Sequence, residues 1–564
     1  MLKEYLIKIR EFYHQNLSFR SLRVRIFLIV LVVGTIPSVA MRYGIMRNYE
    51  ERAVELRTAS VQSQLRVIAD HLINEDYLAM QSSPGFSAEY SNSSSFRVIN
   101  AELEMLSNLY DGRVQIISGN LRVIKDTYAI SEGKTIISEE VIKCFMGESL
   151  SNYDDRNGYI EMTIPIIDNQ NVGKEEENTG AVVVGGVKQP DPRVKGVMLT
   201  SISTDYIMDT MDILNRKAII LETLMIMVIV TIALVLAVVL VNGWTDAPNA
   251  IATVVSTGVL SFRRAVALAA ACNLLGVLVM TAINATVAET VYSIADFGPD
   301  RAAALSALCA ALCAIVLWAV LAWRFGVPTS ESHALVAGLT GAALALPGGL
   351  DNIRAGAWGR VLLGLVLSVA LGWWVGGLCR RLLERLHPSL PLCRRGQLAG
   401  AGAMAFLHGA QDGQKFLGVF LLGAALAQGG GVGQTFSVPG WLMLLCAAVM
   451  ALGTAMGGRR IIETVGRDMV ILAPREGLAA DLGGGLCLLL CTLAGLPVST
   501  THAKTAAILG AGSAGGGTVN HRVAARIALT WLFTFPGCGL LGFLLASLFR
   551  SPLSCGILMP GTIF

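Results

Sequence analysis

The stretch Asn242-Gly-Trp-Thr-Asp246-Ala-Pro-Asn249 has a counterpart 166 residues later, His408-Gly-Ala-Gln-Asp412-Gly-Gln-Lys415. In each stretch an aspartate lies beside long apolar sequence, flanked by glycine and by amide or hydroxyl side chains. A carboxylate near the centre of a bilayer costs at least about 2.5 kcal/mol on insertion scales. A duplicated carboxylate in such a setting therefore indicates a functional site rather than two accidental charges.

A second pair of motifs follows the first pair in the same order. Gly326-Val-Pro328-Thr-Ser-Glu-Ser-His-Ala and Gly495-Leu-Pro497-Val-Ser-Thr-Thr-His-Ala lie 169 residues apart. The shared order and nearly equal spacing predict an internal repeat. An odd number of predicted crossings separates the copies, so the two halves should have opposite orientations. Inverted repeats with short helices interrupted by Gly or Pro in matching places point to the central site of a transporter.

Composition excludes most other classes of protein. The 564 residues carry 44 basic and 41 acidic side chains, 53% are hydrophobic, and the mean hydropathy is +0.58. Only 15% are charged, against about 25% in an average globular domain. A soluble multidomain enzyme, a disordered chain and a disulfide-stapled domain are disfavoured. A net charge of +3 over this length also provides no basic face for nucleic acid. An integral membrane protein remains.

No enzyme motif stands out, and we expect neither catalysis nor a cofactor. The sequence lacks a Walker loop, a nucleophile elbow and a zinc motif. Two pairs of cysteines, Cys309 with Cys313 and Cys487 with Cys491, are four residues apart on apolar segments. No matching histidines accompany them, so helix packing is a better interpretation than a metal site.

The chain is predicted to have four parts. Residues 1–43 form a basic cytoplasmic leader and a first transmembrane helix, with its apolar segment at 26–41. A cleaved signal peptide is the alternative, but the leader is long for one. Residues 44–217 are predicted to be an extracytoplasmic α/β domain, and residues 218–390 and 391–564 the two transporter repeats. Within the α/β domain we expect a helix over 50–80 and strands at 159–167, 181–187 and 196–203.

From residue 218 onwards, apolar stretches recur with short polar loops between them. They cover residues 218–241, 265–286, 302–323, 328–346, 358–378, 398–428, 438–457, 478–494, 497–512 and 523–547. With residues 44–217 outside, the arginine clusters at 263–264, 380–395 and 459–475 fall inside, in agreement with the positive-inside rule. The stretches 328–346 and 497–512 are also consistent with re-entrant hairpins, so this topology is not unique.

The chemistry of the repeated motifs suits an oxyanion together with a cation. The glycine, amide and hydroxyl residues beside each aspartate suit broken helix ends. Such ends offer free N–H groups to an anion and free C=O groups to a cation. The prolines are predicted to start helices whose first turn carries the hydroxyls of Ser330, Ser332, Ser499, Thr500 and Thr501. The two oppositely oriented halves are predicted to bring the two aspartates together, where they would bind coupling cations or accept hydrogen bonds from a protonated oxyanion.

Several of these side chains also have purely structural interpretations. Either aspartate could lie at headgroup depth, and some hydroxyls commonly bond to the carbonyl four residues earlier in the helix. His333 and His502 could pack between helices, and Lys415 and Lys504 could reach the interface with their long stems. Glu331 is either buried and paired or at a mouth of the protein. We therefore treat a further set as accessory candidates: Glu331, His333, His408, Gln411, Lys415, His502 and Lys504.

Four segments resemble the signatures of the PiT inorganic phosphate transporters: NGWTDAPNAIATVVSTGVLS (242–261), PTSESHALVAGLTGA (328–342), HGAQDGQKFLGVFLLG (408–423) and GLPVSTTHAKTAAILGAG (495–512). The resemblance covers roughly residues 230–548. It implies an all-α polytopic membrane protein with inverted repeats that carries inorganic phosphate with Na⁺ or H⁺. A sulfate carrier of the same fold is the alternative, and a homo-oligomer is left open.

The resemblance also implies roles for individual residues. The substrate-binding residues would be Asp246, Asp412, Ser330, Ser332, Ser499, Thr500 and Thr501. The cation-binding residues would be Asp246, Asn249, Asp412 and Asn242. The sequence departs from the commonest family pattern at three positions, which leave the coupling ion open: Gln411 where Asn is usual, Glu331 in place of Thr, and Lys504.

The N-terminal part resembles the input half of a bacterial sensor histidine kinase of the Cache or PAS-like type. The resemblance rests on the order of a basic leader, a helix, an α/β domain and a second helix near 218–241. It implies a bacterial cytoplasmic membrane. The change from a charged, Asn/Ile-rich first part to an Ala/Gly/Arg-rich second part suggests a gene fusion with its seam near 220–240. Two function classes follow, a phosphate carrier with a passenger or regulatory domain, and a receptor whose membrane half is a signalling module. The duplicated motifs favour the carrier.

Overall fold

The computed structural model describes residues 22–78, 94–168, 183–184, 187–188, 191, 193–325, 329–428, 437–456, 458–464, 469–516 and 519–554. Most of the basic leader, part of the predicted strand at 181–187, and Pro328 lie outside the described residues. The contacts within the chain divide it into two units, one of residues 36–219 and one that contains residues 220–564.

The unit of residues 36–219 is an α/β fold built on an antiparallel sheet. Its helices are α1 (Leu22–Asn74, which begins before this unit), α2 (Ser94–Leu109) and α3 (Glu139–Phe145). Its strands are β1 (Gly112–Ser118), β2 (Val123–Asp126), β3 (Leu150–Asp154), β4 (Tyr159–Ile167), β5 (Val183–Val184), β6 (Val187–Lys188) and β7 (Val194–Ser203). Five strands pair in the order β2-β1-β7-β4-β3, and β5 pairs with β6.

Alternating side chains along the central strands build a core on each face of the sheet. On one face, Ile160 and Met162 of β4 pack with α1 and α2. On the other, Val197 and Leu199 of β7 pack with α3. The period of two that predicted a strand over residues 159–167 is confirmed by β4. The predicted helix over residues 50–80 ends at Asn74. The Cache or PAS-like assignment of this unit stays a prediction.

The buried Asp126 carboxylate accepts hydrogen bonds from several donors. It accepts from Arg113 Nε at 2.9 Å, from the Ser131 N–H at 2.8 Å and from the Tyr128 N–H at 3.1 Å. Burial alone would raise the pKa of Asp126, but the guanidinium and these N–H donors together hold it well below its usual range. A lowered pKa means that the folded unit is stabilised by the ionised form.

Replacing Asp126 with asparagine is expected to destabilise this unit by about 1.5–3 kcal/mol at pH 7, the range for hydrogen bonds to charged groups. The contribution is complete above the unfolded pKa of about 4 and is lost as pH falls towards the lowered folded pKa. The difference between variant and wild type should therefore shrink at pH 3. Hydrogen exchange of residues 112–131 in urea, at both pH values, measures it. Exposed Asp155→Asn is the control, and an equal loss in both variants would contradict the assignment.

The unit from residue 220 onwards is almost entirely helical. Its helices are α4 (Asp205–Thr245, which begins before this unit), α5 (Pro248–Ser256), α6 (Phe262–Ile283), α7 (Thr286–Tyr292), α8 (Arg301–Arg324), α9 (Glu331–Leu344), α10 (Ala355–Leu386), α11 (Leu390–Gln428), α12 (Gly440–Met456), α13 (Arg459–Glu463), α14 (Pro474–Leu493), α15 (Thr500–Ala514) and α16 (His521–Ser554). A short 3₁₀ helix, Gly349–Asn352, precedes α10.

Among the described residues, six helical segments are long and apolar enough to cross a membrane. They are Asp205–Ser256, Phe262–Ile283, Arg301–Arg324, Ala355–Leu386, Pro474–Leu493 and His521–Arg550. Helices α9 and α15 have 14 and 15 residues, fewer than the roughly 20 that a crossing helix needs. The fold is thus that of a mostly helical, polytopic membrane protein, as the composition predicts.

The second half of this unit follows the helix order of the first. Helices α6 to α10 find counterparts in α12 to α16, with a short helix, α7 or α13, at the same place in each series. Each short helix packs against the last long helix of the other series: α9 lies against α16, and α15 lies against α10. In the same way α8 packs on α16 and α14 packs on α10. These pairings agree with the predicted internal repeat.

Small residues allow the helices near the centre to approach closely. A Cβ atom added at Gly276 of α6 would lie 1.9 Å from the Phe406 carbonyl oxygen, and one added at Gly409 of α11 would lie 2.3 Å from the Asn273 carbonyl oxygen. Helix pairs in membranes rely on such close approach, because lipid is as apolar as the side chains. The close contact of α6 with α11 positions the polar part of α11 described next.

Candidate functional site

Two short helices begin at one buried point. Ser330 and Ser499 cap α9 and α15, where their hydroxyls accept from the N–H groups of His333 and His502 at 3.3 and 3.2 Å. The same two hydroxyls bond each other, Ser330 Oγ to Ser499 Oγ, at 2.8 Å. Because helix N-termini carry unpaired N–H groups and a partial positive charge, their meeting creates a place suited to an anion.

The two aspartates lie near this point, but their backbones differ: one lies between two helices and the other within a helix. Asp246 lies in the break between α4, which ends at Thr245, and α5, which begins at Pro248. Asp412 lies inside the unbroken helix α11. The expectation that both aspartates sit at broken helix ends is therefore wrong for the second copy. Proline has no N–H and its ring clashes with the preceding turn, and the second copy carries Gln414 where the first has Pro248.

Thr500 brings the two carboxylates together. Its hydroxyl lies 3.4 Å from Asp246 Oδ2 and 3.2 Å from Asp412 Oδ2. All three side chains are buried, with no more than 2% of their surface exposed. Neither carboxylate therefore lies on the surface of this unit. The sequence prediction that the two aspartates approach each other agrees with this geometry.

The amide and hydroxyl side chains of the motifs surround the two carboxylates. Asn249 Nδ2 donates to Asp246 Oδ1 at 2.8 Å, and the Thr501 hydroxyl also bonds that oxygen. Asn242 Nδ2 donates to Asp412 Oδ2 at 3.3 Å. The Oδ1 atoms of Asn242 and Asn249 are buried and have no hydrogen-bond partner within the described part of the chain. Buried acceptors of this kind are available to a cation.

His408 completes a group that could hold a metal ion. One ligand atom from each of Asp246, His408 and Asp412 lies within 4.8 Å of the others. His408 Nε2 is 3.2 Å from Asp412 Oδ2. Its other ring nitrogen, Nδ1, is 3.1 Å from Asn273 Oδ1 of α6, and this second contact fixes the ring. Asn273 in turn donates to Thr454 at 3.0 Å.

Lys415 extends the site beyond Asp412. Its Nζ atom bonds Asp412 Oδ1 and Ser332 Oγ, both at 2.6 Å, and the Val498 carbonyl oxygen at 2.5 Å. Only 1% of Lys415 is exposed. The alternative that this lysine reaches the membrane interface is therefore wrong, because the carboxylate beside it keeps the ammonium inside.

Two other candidates from the sequence make their hydrogen bonds with neighbouring parts of this centre. Glu331 is buried and accepts a hydrogen bond from Thr245 at Oε1, while its Oε2 has no partner among the described residues. Gln411 donates to Thr492 at 2.9 Å and to the Leu496 carbonyl oxygen at 3.2 Å. These bonds tie α11 to the end of α14 and to the segment between α14 and α15.

The two motif histidines pack as aromatic side chains. The rings of His333 and His502 meet edge to face with centroids 4.3 Å apart. His333 also stacks on Phe535 at 4.4 Å, and His502 lies 3.7 Å from Trp531. These ring contacts pack the first turns of α9 and α15 against α16, which agrees with the interpretation of both histidines as packing residues.

A second buried ion pair, between Lys504 and Asp481, was not expected from the sequence. Asp481 of α14 bonds the Lys504 ammonium of α15, and both charged groups are fully buried. Thr253 of α5 donates to Asp481 at 2.6 Å and accepts from Lys504 at 3.2 Å. Lys504 therefore does not reach the interface either. An aspartate within an apolar helix is a functional candidate by default, and that signal could have identified Asp481.

The fold and the site together define the class of the protein, a polytopic membrane protein whose short helices meet at a buried, charged centre. The family described as "Phosphate transporter family" matches residues 242–392 and 387–542. The chain belongs to this family. The recognised family is the one that the four sequence motifs indicated.

The similarity to known proteins covers a little more than half of the chain. A probable low-affinity inorganic phosphate transporter of Mycobacterium leprae is 36% identical over 327 residues, which are 57% of this chain and 76% of the relative. One of Bacillus subtilis is 32% identical over 329 residues, 57% of this chain and 97% of the relative. A solved structure of a sodium-dependent phosphate transporter shares the fold with a TM-score of 0.53 at 21% identity, covering 58% of this chain and 99% of that one.

Proposed function

We propose that this chain is a secondary carrier that moves inorganic phosphate across the cytoplasmic membrane of a bacterium together with a coupling cation, Na⁺ or H⁺. One observation carries the proposal: two carboxylates, from Asp246 and Asp412, share the Thr500 hydroxyl at the point where two helices begin. Family membership and the phosphate-carrying relatives support the choice of substrate.

Phosphate would be held by the starts of α9 and α15. Free N–H groups of the two first turns and the local hydroxyls can donate to its oxygens. The hydroxyl set consists of Ser330, Ser332, Ser499, Thr500 and Thr501. The carboxylates of Asp246 and Asp412 can only accept hydrogen bonds when ionised. They would therefore bind the protonated oxygens of phosphate, and this pairing would distinguish phosphate from other anions.

The coupling cation would bind on the side of Asp246. Oxygen ligands are offered by that carboxylate, by the neighbouring Asp412, and by the Oδ1 atoms of Asn242 and Asn249. These two Oδ1 atoms have no hydrogen-bond partner in the described part of the chain. Hard cations prefer such oxygens. With a cation present, two buried negative charges and an entering anion can share one site. Cation and phosphate would then bind more tightly together than apart, which is the requirement for coupled transport.

Sulfate is the second candidate substrate within the same fold. Sulfate is fully ionised at neutral pH and has no O–H group to donate, whereas phosphate retains one or two. A site with two carboxylates as acceptors favours the substrate that can donate, because an unpaired buried acceptor next to an anion is costly. The geometry therefore supports phosphate over sulfate.

The N-terminal unit is proposed to be an extracytoplasmic sensor-like domain that accompanies or regulates the carrier. In this proposal residues 1–43 form the leader and first helix, residues 44–217 the domain, and residues 218–390 and 391–564 two inverted repeats. The antiparallel sheet with helices on both faces supports a separate folded domain. The exchanged packing of α9 and α15 supports the repeat.

Uptake by reconstituted vesicles tests the proposed function. The full chain is placed in proteoliposomes, and the uptake of labelled phosphate is compared with that of labelled sulfate. An inward Na⁺ gradient and an inward proton gradient are applied separately. We expect phosphate uptake to be driven by one of these gradients and to resist excess sulfate. Faster uptake of sulfate, or no uptake of phosphate under either gradient, would contradict the proposal.

A further inference from the structure

Each half of the site has a nitrogen donor three residues after its aspartate. In the first motif the donor is Asn249, and in the second it is Lys415. Asn249 Nδ2 bonds the carboxylate of its own motif, Asp246, at 2.8 Å. It also bonds the Thr501 hydroxyl, which belongs to the helix start of the other half, at 3.1 Å.

Lys415 makes the matching pair of bonds from the second half of the site to the first. Its ammonium bonds the carboxylate of its own motif, Asp412, at 2.6 Å. It also bonds the Ser332 hydroxyl, which belongs to the helix start of the first half, at 2.6 Å. Both hydroxyls are two residues beyond a capping serine, Thr501 after Ser499 and Ser332 after Ser330. The two donors are therefore equivalent in sequence and in contacts but differ in charge.

The surroundings of Lys415 Nζ are those of a bound cation. Its ligands are a carboxylate oxygen, a hydroxyl oxygen and the backbone oxygen of Val498, at 2.5–2.6 Å. An ammonium has three N–H donors and no acceptor, so three oxygens satisfy it completely. A hard metal cation would choose the same kinds of oxygen. On the Asn249 side no charged donor takes this place, and the Asn249 Oδ1 acceptor stays unpartnered among the described residues.

From this asymmetry we infer that the Lys415 ammonium replaces one coupling cation, so that a free cation is needed only in the half that contains Asp246 and Asn249. The inference rests on the proposed function and refines it, because it sets the number of free cations that accompany each phosphate. A cation attached to the chain cannot be released with the substrate, so it contributes charge balance but no driving force.

The variant Lys415→Asn tests the inference, because it gives the second half the same donor as the first. The full chain is reconstituted, and phosphate uptake is measured as Na⁺ replaces choline at constant ionic strength. The steepness of the rate against Na⁺ concentration reports how many Na⁺ ions each phosphate requires. We expect this number to rise by one in Lys415→Asn relative to wild type. At low Na⁺ the variant should be at least about tenfold slower than wild type, within the usual range of a coupling free energy.

Thermal melting of the purified proteins provides a second measurement that does not depend on transport. Na⁺ should raise the melting temperature of Lys415→Asn more than that of wild type, because the vacated oxygens then bind Na⁺ in the folded state. The conservative Lys415→Arg, which keeps the charge, should show no such gain. Unchanged steepness together with equal Na⁺ stabilisation would overturn the inference. So would a Lys415→Asn protein that melts like wild type but takes up no phosphate at any Na⁺ concentration.

The reciprocal variant Asn249→Lys tests the inference from the other half of the site. A second attached ammonium there should make uptake insensitive to Na⁺ and to an inward proton gradient. Acceleration by either gradient to the same extent as in wild type would count against the inference. Wild-type vesicles that take up no phosphate would instead refute the proposed function, so the two failures are distinguishable.

Discussion

Asp412→Asn is expected to reduce phosphate uptake at least about 100-fold. The carboxylate of Asp412 accepts from Lys415 at 2.6 Å and from Thr500 at 3.2 Å, all within a buried site. Removing one partner of a buried ion pair costs about 3–5 kcal/mol, because the other charge is left unbalanced. Each 1.4 kcal/mol is about a factor of ten. Initial rates of labelled phosphate uptake in proteoliposomes, at equal amounts of inserted protein, measure the loss.

Two companion variants show whether the loss comes from the site. Asp351→Asn changes an exposed aspartate in the 3₁₀ helix of the same unit and should retain wild-type uptake. Asp246→Asn should also lose uptake, although its amide can still bond Asn249 and Thr501 and the fold should survive. Undiminished uptake in both Asp412→Asn and Asp246→Asn would remove these carboxylates from the proposed site.

Lys504→Met is expected to destabilise the membrane unit by about 3–5 kcal/mol, since it leaves the buried carboxylate of Asp481 unpaired. The methionine side chain fills most of the space of the lysine stem, so loss of the charge is the main change. A lower melting temperature of the purified full chain measures the effect. Replacing both partners, as Asp481→Leu with Lys504→Met, should recover most of the stability, because apolar pairs often substitute well for buried ion pairs.

The double replacement also separates a structural role from a transport role. If the pair only holds α14 against α15, the double variant should both melt and transport like wild type. Thr253 of α5 bonds both charged groups, so a variant that melts normally but transports slowly would place the pair in the conformational change. Melting of Lys504→Met at the wild-type temperature would contradict the strong destabilisation.

Much of the fold was accessible from the sequence because it depends on local patterns. Apolar length predicts the crossing helices, as the stretch 302–323 lies within α8 (Arg301–Arg324). Alternation predicts β4 at residues 159–167. The repeated order of motifs indicates which side chains should converge, and Asp246, Asp412 and Thr500 do converge. Duplication supplies this information, because matching motifs in the two halves are expected to contribute to one central site.

An ion pair between two helices could not be predicted in the same way when one of its residues lies outside the repeated motifs. Asp481 lies alone in α14, and its bond to Lys504 joins residues from two different helices. When its partner is not known, a lysine in a membrane segment is readily interpreted as reaching the interface with its long side chain. The difference in backbone between the two aspartates was also not predicted. Pro248 accounts for it, because the helix is interrupted beside Asp246 and continuous through Asp412.

The exchanged packing of the short helices has a consequence for how the protein can be assembled. Helix α9 rests on α16, and α15 rests on α10, so each short helix is held by the last long helix of the other half. A chain severed between α10 and α11 would give two polypeptides, each lacking a long helix against which its own short helix packs. We therefore expect the buried centre to form only when both polypeptides are present in the same bilayer.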